Sequence, residues 1–136
     1  MKAYFGRRYL LSASHRLHAP ELTDEENRAA YGKCNNAHGH GHNYTVEVLV
    51  GGEVNAETGM VVDLAALDAM VRRRILDRFD HANLNQDALF QDCVPTTESF
   101  CRVIFDLLRA ELAGGQPEHV RVEETENNFF ECSARG

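Results

Sequence analysis

The sequence predicts an α+β fold in which an antiparallel four-stranded sheet is interrupted midway by two helices. Three observations carry that expectation. Residues 42–50 alternate strictly: His42, Tyr44, Val46, Val48 and Val50 point one way, and Asn43, Thr45, Glu47 and Leu49 the other. This is the period of a strand with one face buried. Two later stretches repeat at helical spacing instead. Strands and helices also come in runs rather than in alternation, which favours segregated layers over a parallel βαβ sheet.

The first element is a strand over residues 3–15, where Phe5, Tyr9, Leu11, Ala13 and His15 share one side of an extended chain. Pro20 follows as a breaker, and Thr23-Asp24-Glu25-Glu26 has the form of a capping box for a short helix reaching about Tyr31. After the 42–50 strand, Gly51-Gly52 and the stretch from Asn55 to Gly59 read as turns. Asp63 is an N-cap for a helix carrying Leu64, Leu67, Val71 and Ile75. The next helix follows Pro95, is capped at Thr96 or Thr97, and buries Phe100, Val103, Ile104, Leu107 and Leu108. Gly114-Gly115 stops it. Two strands close the chain, at 119–125 and 128–134. The element order is ββααββ with a short helical insert after the first strand.

Length and charge narrow the function. The 136 residues suit one domain. Fourteen Lys and Arg against 21 Asp and Glu leave a net charge of −7, which argues against a nucleic-acid-binding protein. No apolar run approaches the roughly 20 residues of a membrane span. The N-terminal stretch is too short and too arginine-rich for a signal peptide, so a cytoplasmic location is expected. The four cysteines form no CxxC pair and are expected as free thiols.

Histidine points to chemistry. In His40-Gly41-His42, positions i and i+2 of a strand face the same side, so two imidazoles can converge on one ion. His15, at the end of the preceding strand, is the natural third ligand. Three histidines with one open position is the arrangement of a catalytic zinc site (Zn2+). The bland alternative is a His-rich surface loop, and His38 leaves the register open. His18 and His119 read as solvated or structural. Cys34, flanked by the Lys33 cation and the expected zinc, both of which would lower a thiol pKa, reads as a reactive thiol, a fourth ligand or an inert buried thiol. Cys101 reads as core. The adjacent Asp80 and His81 read first as a helix-end feature, with a proton-relay pair as the alternative. Glu124 shares the face of Val120 and Val122, where a carboxylate needs either a structural partner or a ligand offering two N–H donors. The run Arg72-Arg73-Arg74 reads as a solvated helix face.

Taken in order, SASHRL (12–17), DEEN (24–27), GKCNN (32–36), HGHNY (40–44), TGMVVDL (58–64), DHANLN (80–85), PTTES (95–99) and ETENN (124–128) resemble the 6-pyruvoyl-tetrahydropterin synthase family, whose superfamily includes 6-carboxy-tetrahydropterin synthase of queuosine synthesis. The likeness runs from about residue 10 to 130. It implies the tunnelling fold (T-fold) over residues 1–136, a homohexamer of two trimers, and active sites between subunits. It implies His15, His40 and His42 as zinc ligands and Cys34 as the general base. It also implies Asp80 and His81 as a supporting pair from a neighbouring subunit, and Glu124 as the pterin anchor assisted by Thr96 and Thr97. The implied substrate is 7,8-dihydroneopterin triphosphate, and the implied reaction a lyase step yielding the 6-pyruvoyl product.

The resemblance also frames the alternatives. Five residues separate Cys34 from His40, the pyruvoyl-type spacing; three separate Cys34 from His38, the carboxy-type spacing. HGHNY, GKCNN and ETENN favour the first. A carboxy-forming relative remains the alternative, and a non-catalytic zinc- or pterin-binding oligomer the alternative of another class. A triphosphate substrate on a chain of −7 requires a local basic mouth, for which Arg16, Arg28 and Lys33 are the candidates.

Overall fold

A computed structural model describes residues 1–112 and 116–134, with Gln116 described by its backbone. Two long strands dominate it, β1 (Lys2–His15) and β2 (His40–Glu53), paired antiparallel along their whole length from Lys2 opposite Glu53 to His15 opposite His40. Between them lie α1 (Asp24–Tyr31) and a 3-10 turn, Gly32–Asn35. Both halves of the Thr23–Glu26 capping box form. Asn27, a buried amide that sequence reasoning passed over, ties this insert down through Ala19, Leu22 and Thr23.

β2 is longer than the alternation suggested. Gly51 and Gly52 continue the strand rather than turn it, pairing with Tyr4 and Ala3. The reason is crowding: a Cβ on Gly51 would lie 2.8 Å from the Glu118 side chain and 2.9 Å from the Tyr4 ring. The turn forms later, where the Asn55 side chain accepts from Glu57 and Thr58 backbone N–H groups.

Asp63 caps α2 (Leu64–Val71), which passes through a wider π-helical turn, Arg72–Leu76, into the single turn α3 (Asp77–Phe79). Arg73 and Arg74 are not simply solvated, as their run suggested. Both reach Glu111 of α4 (Thr97–Glu111), at 2.6 and 2.9 Å. Thr96 caps α4. The Gly114-Gly115 stop lies outside the described residues. β4 (Gln116–Glu123) and β5 (Phe129–Ser133) complete an antiparallel sheet.

The sheet has five strands, not four. A two-residue strand, β3 (Ala82–Asn83), pairs parallel to β1 at its far edge, giving the order β3-β1-β2-β4-β5. Two residues carry no periodicity, so nothing local announces such a strand.

The core fills the space between one sheet face and the helices. Leu11, Ala13, Tyr44, Val46, Val48, Val50, Val120 and Val122 from the sheet meet Leu67, Val71, Ile75, Phe79, Phe100, Ile104 and Leu108. Cys101 is fully buried, as read; Phe105 is buried beside it although the apolar stripe omitted it. Tyr44, Phe79, Phe90 and Phe100 form an edge-to-face cluster with centroids 5.2–6.2 Å apart, the preferred aromatic geometry. That cluster is the floor beneath the histidines.

Candidate metal centre and ligand pocket

Three imidazoles meet where β1 and β2 end together. Register sets His15 opposite His40 and Ala13 opposite His42, so the period-2 alternation delivers all three rings to one face. Ring centroids are 4.7–5.1 Å apart and the planes nearly perpendicular. His15 Nε2 lies 3.2 Å from His40 Nε2.

His15 is the pivot. It is only 1% exposed, and its Nδ1 donates to the Pro95 carbonyl at 2.8 Å. That bond leaves the Nε2 lone pair free and fixes the ring's orientation, as a second-shell carbonyl does for a metal-ligating histidine. Burial, and then the other two histidines, hold its pKa below the usual value, against the opposing pull of Pro95 and Glu124. These pulls favour the neutral ring, the form a ligand takes.

Two convergent donor sets share His15: His15, Cys34 and His40, and His15, His42 and Glu124, with the donor atoms of each set within 4.8 Å of one another. His42 Nε2 is 2.9 Å from Glu124 Oε1. Despite that closeness the nitrogen is buried without a hydrogen bond among the described residues. An orphaned ring nitrogen aimed into a cluster of nitrogen, sulfur and carboxylate donors fits a divalent metal, and this donor chemistry suits zinc.

Gly39 allows the convergence. Its φ of +72° is left-handed, and a Cβ there would stand 2.9 Å from the His15 carbonyl oxygen. Gly39→Ala is expected to lose about 1–2 kcal/mol from the backbone conformation alone and to push His40 away from His15. Urea unfolding and bound-metal stoichiometry both check this; unchanged metal affinity would show that the close approach does not set the site.

Cys34 lies in the Gly32–Asn35 turn. Its carbonyl accepts from Leu17 N at 2.7 Å, and the Asn35 amide donates to the Leu17 carbonyl at 2.7 Å, which pins the turn against the end of β1. Of the two cations expected to lower its pKa, zinc and Lys33, the second is not among the groups that act on the thiol. Burial, followed by the Glu124 carboxylate, pushes the thiol up, while the Lys33 side chain is turned to solvent. Arg28, Lys33 and His40 line a cleft of about 440 Å³ with Gly32, Asn35 and Asn36. Arg16 contacts the Asn35 carbonyl at 3.5 Å. A larger cleft, of about 630 Å³, lies between the 53–63 segment and α2 and touches none of these residues.

Glu124 sits one residue past β4, in the 124–127 turn, with its carboxylate still turned to the inner face and 13% exposed. Thr96 spends its hydroxyl on Ser99, accepting from its N–H and donating to its Oγ, each at 3.1 Å. Thr97 is buried and its hydroxyl has no hydrogen-bond partner.

Asp80 and His81 are not brought into this cluster. Asp80 Oδ1 accepts from Ser12 N at 2.8 Å and lies 3.2 Å from His81 Nδ1. Among the described residues no hydrogen bond or ion pair joins either to His15, Cys34, His40, His42 or Glu124. His81 takes a φ of +62° and its side chain is 82% exposed, so the pair faces outward. His38 is exposed, in the turn before β2. His18 contacts the Asn35 amide at 3.1 Å, and His119 lies 3.5 Å from Glu131. Pro95 and Gly39 were not read as site residues. A carbonyl partner leaves no trace in residue type, but a glycine wedged between histidines could have suggested the close approach.

Comparisons with known proteins agree with this geometry. Residues 5–135 match the family described as 6-pyruvoyl tetrahydropterin synthase. A human protein named 6-pyruvoyl tetrahydrobiopterin synthase is 47% identical over 129 residues, covering 94% of this chain and 89% of its own length. The solved structure of Caenorhabditis elegans 6-pyruvoyl tetrahydropterin synthase superposes with a TM-score of 0.92 at 38% identity, covering 98% of this chain and 96% of that one. A protein from Archaeoglobus fulgidus named putative 6-carboxy-5,6,7,8-tetrahydropterin synthase is 38% identical over 73% of this chain and 77% of its own length.

Proposed function

The chain belongs to the 6-pyruvoyl tetrahydropterin synthase family of enzymes, and from that premise we propose that it converts 7,8-dihydroneopterin triphosphate to 6-pyruvoyl-tetrahydropterin with loss of triphosphate. The observation that carries this reading is the convergence of three imidazoles beside a thiol and a carboxylate on one buried face.

His15, His40 and His42 would hold a zinc ion. When bound it supplies Lewis acidity toward the substrate's side-chain hydroxyl oxygens, which acidifies the neighbouring C–H bonds. The chain's own groups do the rest. Cys34 Sγ, as the thiolate that the charge of a bound metal would favour against burial and Glu124, takes the proton from carbon and returns it in the tautomerisation, as a general acid–base group. Triphosphate departs with the electron pair of its C–O bond, and no redox partner is needed. Glu124 holds the pterin through two N–H···O bonds, which fixes the side chain against the reacting groups. Thr97, whose hydroxyl is unspent, is better placed to assist than Thr96, whose hydroxyl caps α4. Arg28 and Lys33, at the cleft that includes His40, offset the chain's negative charge for the triphosphate.

The outward-facing Asp80–His81 pair supports its use by a neighbouring subunit of a homohexamer. A pair whose histidine is held at a left-handed φ, without a bond to its own chain's cluster, suits such a role. The single chain, residues 1–136, then acts as one catalytic domain in the cytoplasm.

The carboxy-forming alternative drew support from the Cys34–His38 spacing. That support weakens because His38 is exposed and stands outside both donor sets. Incubation of zinc-loaded protein with dihydroneopterin triphosphate, with products identified by mass spectrometry, tests the proposal. The 6-pyruvoyl product with free triphosphate is expected. A 6-carboxy product with acetaldehyde would replace the assignment with the carboxy-forming one, and zinc retention without turnover would leave a binding module.

A further inference from the structure

Tyr44 stands on the same strand face as His42, two residues on, and no role is yet attached to it. Thr45 pairs with Glu123 and Val46 with Val122, so one further step along both strands sets Tyr44 directly across from Glu124. Directly opposed side chains on one sheet face lie within contact range. The Tyr44 ring is fully buried, clasped edge-on by Phe100 at 5.2 Å and His42 at 5.6 Å. Among the described residues neither its hydroxyl nor the buried Thr97 hydroxyl makes a hydrogen bond of good geometry, although Thr97 stands near enough to act on the phenol. Buried hydroxyls in native proteins are nearly always paired, so two orphans beside a ligand pocket call for an explanation.

Counting donors around Glu124 supplies it. The carboxylate's nitrogen neighbours are His42 Nε2 at 2.9 Å and His15 Nε2 at 4.0 Å. Both nitrogens are ones a metal would occupy, and a metal-bound ring nitrogen has no proton to donate. His15 Nδ1 is already committed to Pro95. A carboxylate this buried then lacks a donor from the histidines, and the phenol across the strand has a proton and no acceptor. Burial and the Glu124 charge push the Tyr44 phenol upward, against a smaller opposing pull from the Thr97 hydroxyl, in keeping with the proximity of all three.

We propose that Tyr44 is a positioning residue, whose hydroxyl donates a hydrogen bond to the Glu124 carboxylate in the metal-loaded protein and aims it at the pterin ring. The Thr97 hydroxyl donates in turn to the Tyr44 oxygen, completing the chain Thr97–Tyr44–Glu124. This rests on reading Glu124 as the pterin anchor.

Zinc-loaded wild-type protein, Tyr44→Phe, Glu124→Gln and the double variant, each titrated with neopterin and followed by fluorescence anisotropy, separate the two claims. Tyr44→Phe keeps the ring and its packing, so zinc content and the circular dichroism spectrum should match wild type. Its neopterin Kd should rise roughly tenfold, the loss of one charge-assisted hydrogen bond. KM for dihydroneopterin triphosphate should rise with little change in kcat. In the double variant the tyrosine change should add nothing to Glu124→Gln. Wild-type affinity in Tyr44→Phe with weakened binding in Glu124→Gln overturns the inference and leaves the anchor standing. Additive losses, or loss of zinc from Tyr44→Phe, also overturn it, since the hydroxyl would then act elsewhere. Wild-type affinity in Glu124→Gln removes the anchor and the inference with it.

Discussion

Cys34→Ala should keep its zinc at wild-type stoichiometry and lose about 10²- to 10⁴-fold in kcat, the usual worth of a positioned general acid–base group. Three features make the variant clean. The turn that carries Cys34 is held by backbone and Asn35 contacts that do not involve the thiol. The residue is half-buried, so losing the sulfur opens no closed cavity. The metal keeps three imidazoles, one with its tautomer fixed by Pro95. The rival outcome is equally physical, because Cys34 shares a donor set with His15 and His40. Loss of zinc from Cys34→Ala would make the thiol a ligand and end its assignment as base. Cys34→Ser sharpens the comparison, since a hydroxyl keeps the lone pairs but titrates far above a thiol. A serine variant that holds zinc and turns over no faster than the alanine variant shows that acidity, not coordination, is what the position supplies.

What was legible in the sequence follows from the range of the forces involved. Alternation along 42–50 and the Thr23–Glu26 capping box are local signals, and the strand and the helix form where those signals place them. The same alternation puts His40, His42 and Tyr44 on one face, and pairing with β1 then brings in His15. The misses lie where a distant partner decides. Cys34 was read beside two cations, Lys33 and an expected zinc; the folded chain turns Lys33 to solvent and brings Glu124 close enough to act on the thiol, so only the metal is left to lower its pKa. Glycines 51 and 52 read as a turn until pairing with β1 extends the strand through both, and Tyr4 and Glu118 crowd Gly51 from two other strands. The parallel strand β3 exists only because His81 N meets the Ser12 carbonyl and Ser12 N meets the Asp80 carboxylate. The arginine run is exposed at Arg72 and Arg73, as read; what the run could not show is the pairing of Arg73 and Arg74 with Glu111, which lies on a helix formed later in the chain.

His15→Ala and His40→Ala should both abolish zinc binding and take turnover down by at least about 10³-fold, since metal activation supplies several kcal/mol of transition-state stabilisation. Stability should part the two. His15 is almost wholly buried and donates to the Pro95 carbonyl at the entrance to α4. Truncating it opens a void and strands that carbonyl, at a cost of about 1–3 kcal/mol for the unsatisfied group. His40 is half-buried, and among the described residues its ring bonds to His15 alone, so its removal should leave unfolding in metal-free buffer within about 0.5 kcal/mol of wild type. Denaturation of the metal-free proteins therefore measures the scaffold role of His15 apart from its ligand role. If metal-free His15→Ala is as stable as metal-free wild type, the Pro95 contact is incidental. If His40→Ala retains full zinc occupancy, the donor set narrows to His15, His42 and Glu124, and Glu124 can no longer be free to anchor a pterin.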